Sequence, residues 1–514
     1  MHVPRHLTSL ALAGAVLYAG AALARPAPRP DELMLVETPE GRRVLAIGRA
    51  HLTAFRLDAA DSAFVRLDAL EPASPAGAYH RATSALWRAL VEERDPFLGA
   101  HAEALQDLER RVADLPRGGD ADLWRAFLEG EVAMQRALIA GRQERYLPAA
   151  TAFRRACGRY KDALRMDPSF EEAYLGVGIC HVAAGAIPRR YRWIARLLGF
   201  TGTVAEGTAE LERAAENGLF VRETAGVVRA LLRAIYEDDD EAAIVADAAR
   251  LRAQYPESAM AAYVAGFLLT RARRAADAEE ALRAALDLQS GTTRIHVAEG
   301  LLGMSLFRQE RYDEAVVALE HFTLTFRGKT FVAQARLHLG LAHEMAGDRA
   351  AAEAAYRRVR PERDYDNDHA AVREARRRLE RPMNERERAL LLGQNRFDAG
   401  AYREAIAAVQ PLFGDAGADE VQRAEAAYRS GRSLQSLGEW RDAARHYRLA
   451  ADAPGDPNAR WGPWSRFHLG EVLAEQGDTE GARRAFRAVL ADEHEFDYHQ
   501  ALEQRTRAAL EGLG

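Results

Sequence analysis

Residues 337–359 read LHLGLAHEMAGDRAAAEAAYRRV, and their spacing decides the fold. Gly340 is followed twelve residues later by Ala352, then by Tyr356 and Val359. Between them lies Ala346-Gly347-Asp348, a turn in which Gly ends one helix and Asp is placed to cap the next. Two antiparallel helices cross closely only where both present a small residue, and a large residue one turn later fills the space left open. The stretch therefore encodes a helix pair nestled on a Gly–Ala crossing.

The same spacing recurs as Gly266, Ala278, Leu282 and Ala285, and as Gly303, Ala315, Leu319 and Phe322. It returns as Gly393, Ala405 and Val409, as Gly431, Ala443, Tyr447 and Ala450, and as Gly470, Ala482, Phe486 and Val489. Gln476-Gly477-Asp478 repeats the turn. Six in-register copies argue against a general helical bundle that happens to place small residues here. The set resembles the tetratricopeptide repeat, a family with small residues at its eighth and twentieth positions, a large one at the twenty-fourth and often Pro at the thirty-second. Ala156, Tyr160, Ala163 and Pro168 fit the second half of such a repeat, and Tyr174, Val177 and Gly178 open the next. The resemblance implies an all-α fold, a TPR-like α-solenoid: a right-handed superhelix of antiparallel helix pairs, with extra helices.

Composition agrees. Of 514 residues, 48% are hydrophobic and 28% charged, as in folded proteins, and the chain is rich in Ala, Leu, Arg and Glu. These residues lose little rotamer freedom in a helix. The net charge is −6, with acidic and basic residues alternating, so the one-sided basic surface that nucleic acid requires is not expected.

The N-terminus reads as an export signal: Arg5, an apolar run from Leu7 to Ala22, and Ala22-Leu23-Ala24 as a cleavage site. The run is short for a membrane span, although an uncleaved anchor is the alternative. The expected divisions are a signal peptide 1–24 cleaved after Ala24, a Pro-rich linker 25–32, an N-terminal helical region 33–150 of degenerate repeats, a TPR-like array 151–380 with an insertion at 183–206, and a C-terminal TPR array 381–514. Between the last two, ERDYDNDHAAVREARRRLERPMNERE reads as a linker plus an extra helix capped by Asp368 and broken before Pro382. An exported, periplasmic chain is the expectation.

The insertion GAIPRRYRWIARLLGFTGTVAEG, with its flanks, resembles the eukaryotic tetratricopeptide repeat protein 39 group over roughly residues 150–290. Members of that group are interaction proteins, which implies no catalytic residues. Arg189, Arg190, Arg192 and Arg196 interleave there with Trp193, Ile194 and Phe200. Two readings stand: contact with an anionic membrane surface, or a wedge buried against neighbouring helices.

In this repeat, positions five, nine and twelve of the first helix line the concave surface. They give Tyr263, Phe267, Met304, Phe307, Leu337 and Leu341 in the centre, then Gln394, Tyr428, Arg432, Gln435, Phe467 and Glu471. An apolar middle beside a polar end suits a protein or peptide laid in a groove; extra helices covering it would instead make the apolar set core. The Asn and Lys with which family members grip a carboxylate terminus are missing, because Phe267, Met304 and Leu341 occupy the ninth position.

Cys157 and Cys180 are the only cysteines, at facing positions of adjacent helices. They form a disulfide in an oxidising compartment or stay as two small buried thiols. Asp364, Asp366 and Asp368 have calcium-loop spacing, but His369 replaces the needed Gly and Ala375 the bidentate Glu. His494, Glu495 and His499 miss the zinc-binding helical spacing. No nucleophile motif, phosphate-binding glycine loop, metal site or cofactor site is expected. The reading is a non-catalytic exported scaffold for a protein or peptide; a membrane-surface adaptor is the first alternative and an enzyme with an unrecognised site in residues 31–150 the second.

Overall fold

A computed structural model describes residues 34–187, 199–236, 241–452, 460–492, 496 and 498–513. Residues 1–33 and 188–198 lie outside these, and with them the export signal, the linker and the Arg189–Arg196 segment. Among the described residues there are 24 α-helices and no strand.

In chain order they are α1 Pro39–Thr53, α2 Leu57–Leu70, α3 Ala76–Glu92, α4 Asp95–Ala113, α5 Asp120–Arg142, α6 Tyr146–Met166, α7 Glu172–Gly185, α8 Val204–Asn217, α9 Arg222–Tyr236, α10 Glu241–Gln254, α11 Ala259–Arg271 and α12 Ala275–Asp287. They continue as α13 His296–Arg308, α14 Tyr312–Thr325, α15 Val332–Met345, α16 Arg349–Tyr356, α17 Asp366–Glu380, α18 Glu385–Asp398, α19 Tyr402–Val409, α20 Glu420–Ser436, α21 Trp440–Ala451, α22 Trp461–Glu475, α23 Thr479–Leu490 and α24 His499–Gly512. No described helix is long and apolar enough to cross a membrane.

The chain divides into two compact units, the first holding residues 1–272, 280–298 and 325–328, the second the remainder. In each, helices pack on the next helix and on the next but one, which is how stacked helix pairs bury their apolar stripes.

The Gly–large spacing works as close contact. A Cβ added at Gly303, Gly340, Gly393, Gly431 or Gly470 would meet, at 2.4–2.7 Å, the side chain sixteen residues on: Leu319, Tyr356, Val409, Tyr447 or Phe486. The matching alanines 315, 352, 405, 443 and 482 are buried. Seven residues after each of the last four glycines, Gly347, Gly400, Gly438 and Gly477 take left-handed φ of 73–90° and end the first helix. Arg273 and Glu310 adopt the same conformation at that position in the two earlier copies. Asp348 and Asp478 then cap α16 and α23, accepting the Ala351 and Gly481 amides at 2.9 and 2.8 Å. The extra helix α17 is present, but Asp368 does not cap it. Tyr365 stands at the N-cap, and the buried Asp368 carboxylate accepts the amides of Glu362 and Arg363 and the Gln334 side chain, each at 2.9 Å.

The first unit carries a repeat-like pair that the sequence reading missed. Gly48, Ala60 and Phe64 have the twelve- and sixteen-residue spacing, a Cβ on Gly48 would lie 2.5 Å from Phe64, and Phe55 supplies the left-handed turn residue. Tyr160 is wedged between Gly130 and Gly176, and the Cys157 and Cys180 sulfurs are bonded, joining α6 to α7.

Beneath these helices lies a buried polar cluster. Glu172 accepts the amides of Leu219, Phe220 and Val221 at 2.5, 3.0 and 3.1 Å, while Arg49 donates to the Leu219 carbonyl and stacks 4.6 Å from the Phe220 ring. Thr53 donates to Glu223 at 2.9 Å and Tyr160 to Glu131 at 2.6 Å. Burial pushes the Glu131 carboxyl up to about 8, opposed by its bond from Tyr160, and raises Glu172 and Glu223 as well. A buried charge requires partners, and here they arrive from helices distant in sequence.

Candidate functional site

The first helices of the C-terminal pairs, α18, α20 and α22, pack side by side. Capping boxes start two of them: Asn384 with Glu387, and Asp419 with Gln422. Small residues (Ser430, Gly431, Ser433, Ser465 and Gly470) are buried along them, which lets the helices approach.

Across this row runs a chain of polar contacts. Gln394 of α18 accepts from Arg429 of α20 and donates to Asp398 at 2.6 Å. Arg432 of α20 donates to His468 Nε2 of α22 at 2.7 Å, and His468 Nδ1 donates to Glu471 Oε2 at 2.6 Å. Gln435 reaches the same Glu471 oxygen at 3.4 Å and accepts the Tyr447 hydroxyl at 2.5 Å. Aromatic rings frame it: Tyr428 stands 5.2 Å from Trp461 and 5.9 Å from His468, Arg429 lies 5.2 Å from the Trp461 ring and Arg432 5.6 Å from that of Phe397.

Electrostatics lock the arrangement. Burial, reinforced by Arg432, pulls His468 down to about 4, so its ring is neutral at physiological pH and Nε2 accepts from the guanidinium. Burial disfavours the Glu471 carboxylate, yet His468 and Arg432 beside it hold it below its ordinary value. Gln394, Tyr428, Arg432, Gln435 and Glu471 are half-buried, so their edges reach solvent. The row offers alternating donors and acceptors on a rigid backing.

Tyr428, Arg432, Gln435, Glu471 and Gln394, singled out by repeat position, thus meet in one row. Phe467 lies beneath it in the core, 5.7 Å from Phe486. His468, Arg429 and Trp461 were missed; His468 sits beside Phe467 at a position the groove register skips. Of the apolar set, Met304, Phe307 and Leu341 are buried and Tyr263, Phe267 and Leu337 half-buried. Phe307 packs on Tyr312 and His338, and Asn395 of α18 donates to its carbonyl at 3.3 Å. Among the described residues no group of three or more His, Cys, Asp or Glu is placed to hold a metal. Asp364 instead pairs with His369 at 2.8 Å.

A family model described as Tetratricopeptide repeat matches residues 301–367 and 428–498. Residues 301–367 and 428–498 thus carry tetratricopeptide repeats. The second match begins at Tyr428 within α20 and takes in α22, and so most of the polar row. A search of the curated proteins found no match. Among solved structures the chain is similar to the TPR2AB-domain:pHSP90 complex of yeast Sti1, at 16% identity over 48% of this chain and 93% of that one, TM-score 0.20. It is also similar to the APC/C hetero-tetramer Cut9-Hcn1, at 13% identity over 93% and 98%, TM-score 0.23, and to yeast Tom70, at 11% identity over 86% and 91%, TM-score 0.31. Neither the family model nor these structures belong to the tetratricopeptide repeat protein 39 group, so that narrower likeness stays an expectation.

Proposed function

We propose that this chain is a non-catalytic scaffold that takes a protein or peptide partner along the first helices of its C-terminal repeats, and that it works after export. The observation that carries the binding reading is the row of half-buried Gln394, Arg429, Arg432, Gln435 and Glu471, with His468 buried behind it, which spans three consecutive first helices. Such a row suits an extended or helical guest, whose backbone and side chains exchange hydrogen bonds with it while Trp461 and Tyr428 supply apolar anchorage. The tetratricopeptide repeats support the choice of a macromolecular guest. The export reading is supported by the run Leu7–Ala22 and the Ala22-Leu23-Ala24 site.

The test places a photo-crosslinking amino acid at Gln394 or Glu471, and as a control at Leu449 on the second helix α21, whose side chain is 61% exposed. Crosslinking in the native host is expected to give the same partner at both row positions and not at Leu449. Equal adducts at all three, or adducts at Leu449 alone, remove the assignment. The N-terminal sequence of the recovered chain checks export: it is expected to begin at Arg25, and a start at Met1 ends that part.

A further inference from the structure

A second charged feature lies on other repeat positions of the same unit. A cleft of about 380 Å3 is lined by Thr323, Arg336, Leu339, Ala355 and three arginines of one short stretch, Arg357, Arg358 and Arg360. Thr323 closes α14, Arg336 and Leu339 belong to α15, and the three arginines follow α16, so the cleft lies where consecutive pairs join. Thr323 and Arg360 hold the same register position one repeat apart. Leu337 and Leu341, the inner-surface positions of α15, do not line it.

Four guanidiniums meet two carboxylates there. Glu362 takes Arg336 at 2.5 Å and Arg360 at 3.1 Å on the same oxygen, and Glu353 takes Arg357 at 2.6 Å. Arg358 is exposed and has no carboxylate partner among the described residues. The net positive charge is held in place, because Asp368, itself a carboxylate behind the loop, fixes the Glu362 and Arg363 amides and so anchors the segment that carries Arg360. Part of the positive charge offsets the carbonyl end of α16, which takes about half a charge.

We infer that this cleft binds a phosphate-bearing anion. A phosphomonoester carries about −1.5 to −2 charges and three acceptor oxygens, and the four guanidiniums lining the cleft can address all three where a carboxylate offers two. Guanidinium forks suit phosphate oxygens. The cleft is larger than a phosphate group and leaves room for what the phosphate is attached to, either a small soluble molecule or a lipid headgroup. This assignment does not depend on the guest-binding row.

The test follows phosphorus-31 line broadening of inorganic phosphate against the full mature chain at constant ionic strength. Saturable broadening is expected, with affinity falling at least tenfold in Arg358→Gln/Arg360→Gln and unchanged in the exposed control Arg441→Gln. Arg358→Gln alone, which breaks no internal ion pair, is expected to weaken binding in the same direction. Pelleting with phosphatidylglycerol but not phosphatidylcholine vesicles, lost in the double variant, assigns the phosphate to a headgroup; broadening without pelleting assigns it to a soluble ligand. No saturable broadening, equal binding by the double variant, or binding of a glutamate-rich peptide without any response to phosphate overturns the inference.

Discussion

A methyl group added at Gly340 meets the Tyr356 ring at 2.4 Å, whereas one added at Gly347 meets nothing within 4 Å but sits on a left-handed backbone with φ of 90°. The two glycines are therefore needed for different reasons. At Gly340, gained helix propensity of roughly 0.5–1 kcal/mol opposes an overpacking cost of about 1–3 kcal/mol. Gly340→Ala is expected to destabilise by about 1–2 kcal/mol and Gly340→Asn by more. At Gly347 only the backbone objects, so Gly347→Ala costs about 1 kcal/mol and Gly347→Asn less, since Asn tolerates this conformation. Urea midpoints check the reversal of rank; the same order at both sites contradicts it. The residue scale also explains a miss. Gly48, Ala60 and Phe64 carry the repeat spacing in plain view, but the pair lies far outside the series that runs from Gly266 onward, and Phe55, like Arg273 and Glu310, leaves the turn without a glycine.

Helices are held to one another partly by chemistry that spacing alone left open. Cys157 and Cys180 occupy facing positions, which permits either a bond or two thiols; the structure joins them across α6 and α7. Closing a loop with a sequence separation of 23 removes chain entropy worth about 3 kcal/mol in the unfolded state. Cys157→Ser/Cys180→Ser is expected to lower the unfolding free energy of the first unit, read from its urea curve, by an amount near that figure. Reductant should move the wild type to the same place and leave the double variant still. A wild type indifferent to reductant would show the bond to be dispensable. At this scale helices were legible wherever Gly, a polar cap and apolar periodicity coincide. The cap of α17 was misplaced because Asp368 looks like a cap locally, while its carboxylate is spent on the loop before it and on Gln334.

Across the whole molecule, the two units are expected to respond to pH in opposite senses. Glu131, with a folded value of about 8, binds a proton that the unfolded carboxyl has already released, so the first unit loses about 1.4 kcal/mol per pH unit between pH 6.5 and 8. The raised Glu172 and Glu223 act in the same sense. His468, at about 4 when folded, stays neutral while its unfolded counterpart takes up a proton, so it costs the second unit a similar amount per unit as pH falls from 6.5 to 4, and His338, which burial also brings down to about 4, adds to that loss. The lowered Glu471 adds to that loss. Hydrogen exchange of α5 and α22 peptides, corrected for intrinsic rates, reads both slopes. Glu131→Gln and His468→Gln should each shrink one slope only, the second by about half because His338 remains; parallel slopes in the two units would refute the assignment.

Read alone, the 514 residues determine the helix pairs, their crossings, most of their turns and the repeat positions that meet in the polar row. These depend on spacings of seven, twelve and sixteen residues, short enough for one helix hairpin to satisfy. Folding in three dimensions decided the rest: Arg49 reaches a carbonyl 170 positions away, Glu172 gathers three amides some 48 positions on, and His468 is clamped between Arg432 and Glu471. A buried charge is stable only where its partners converge, and no local pattern records which distant helix will bring them.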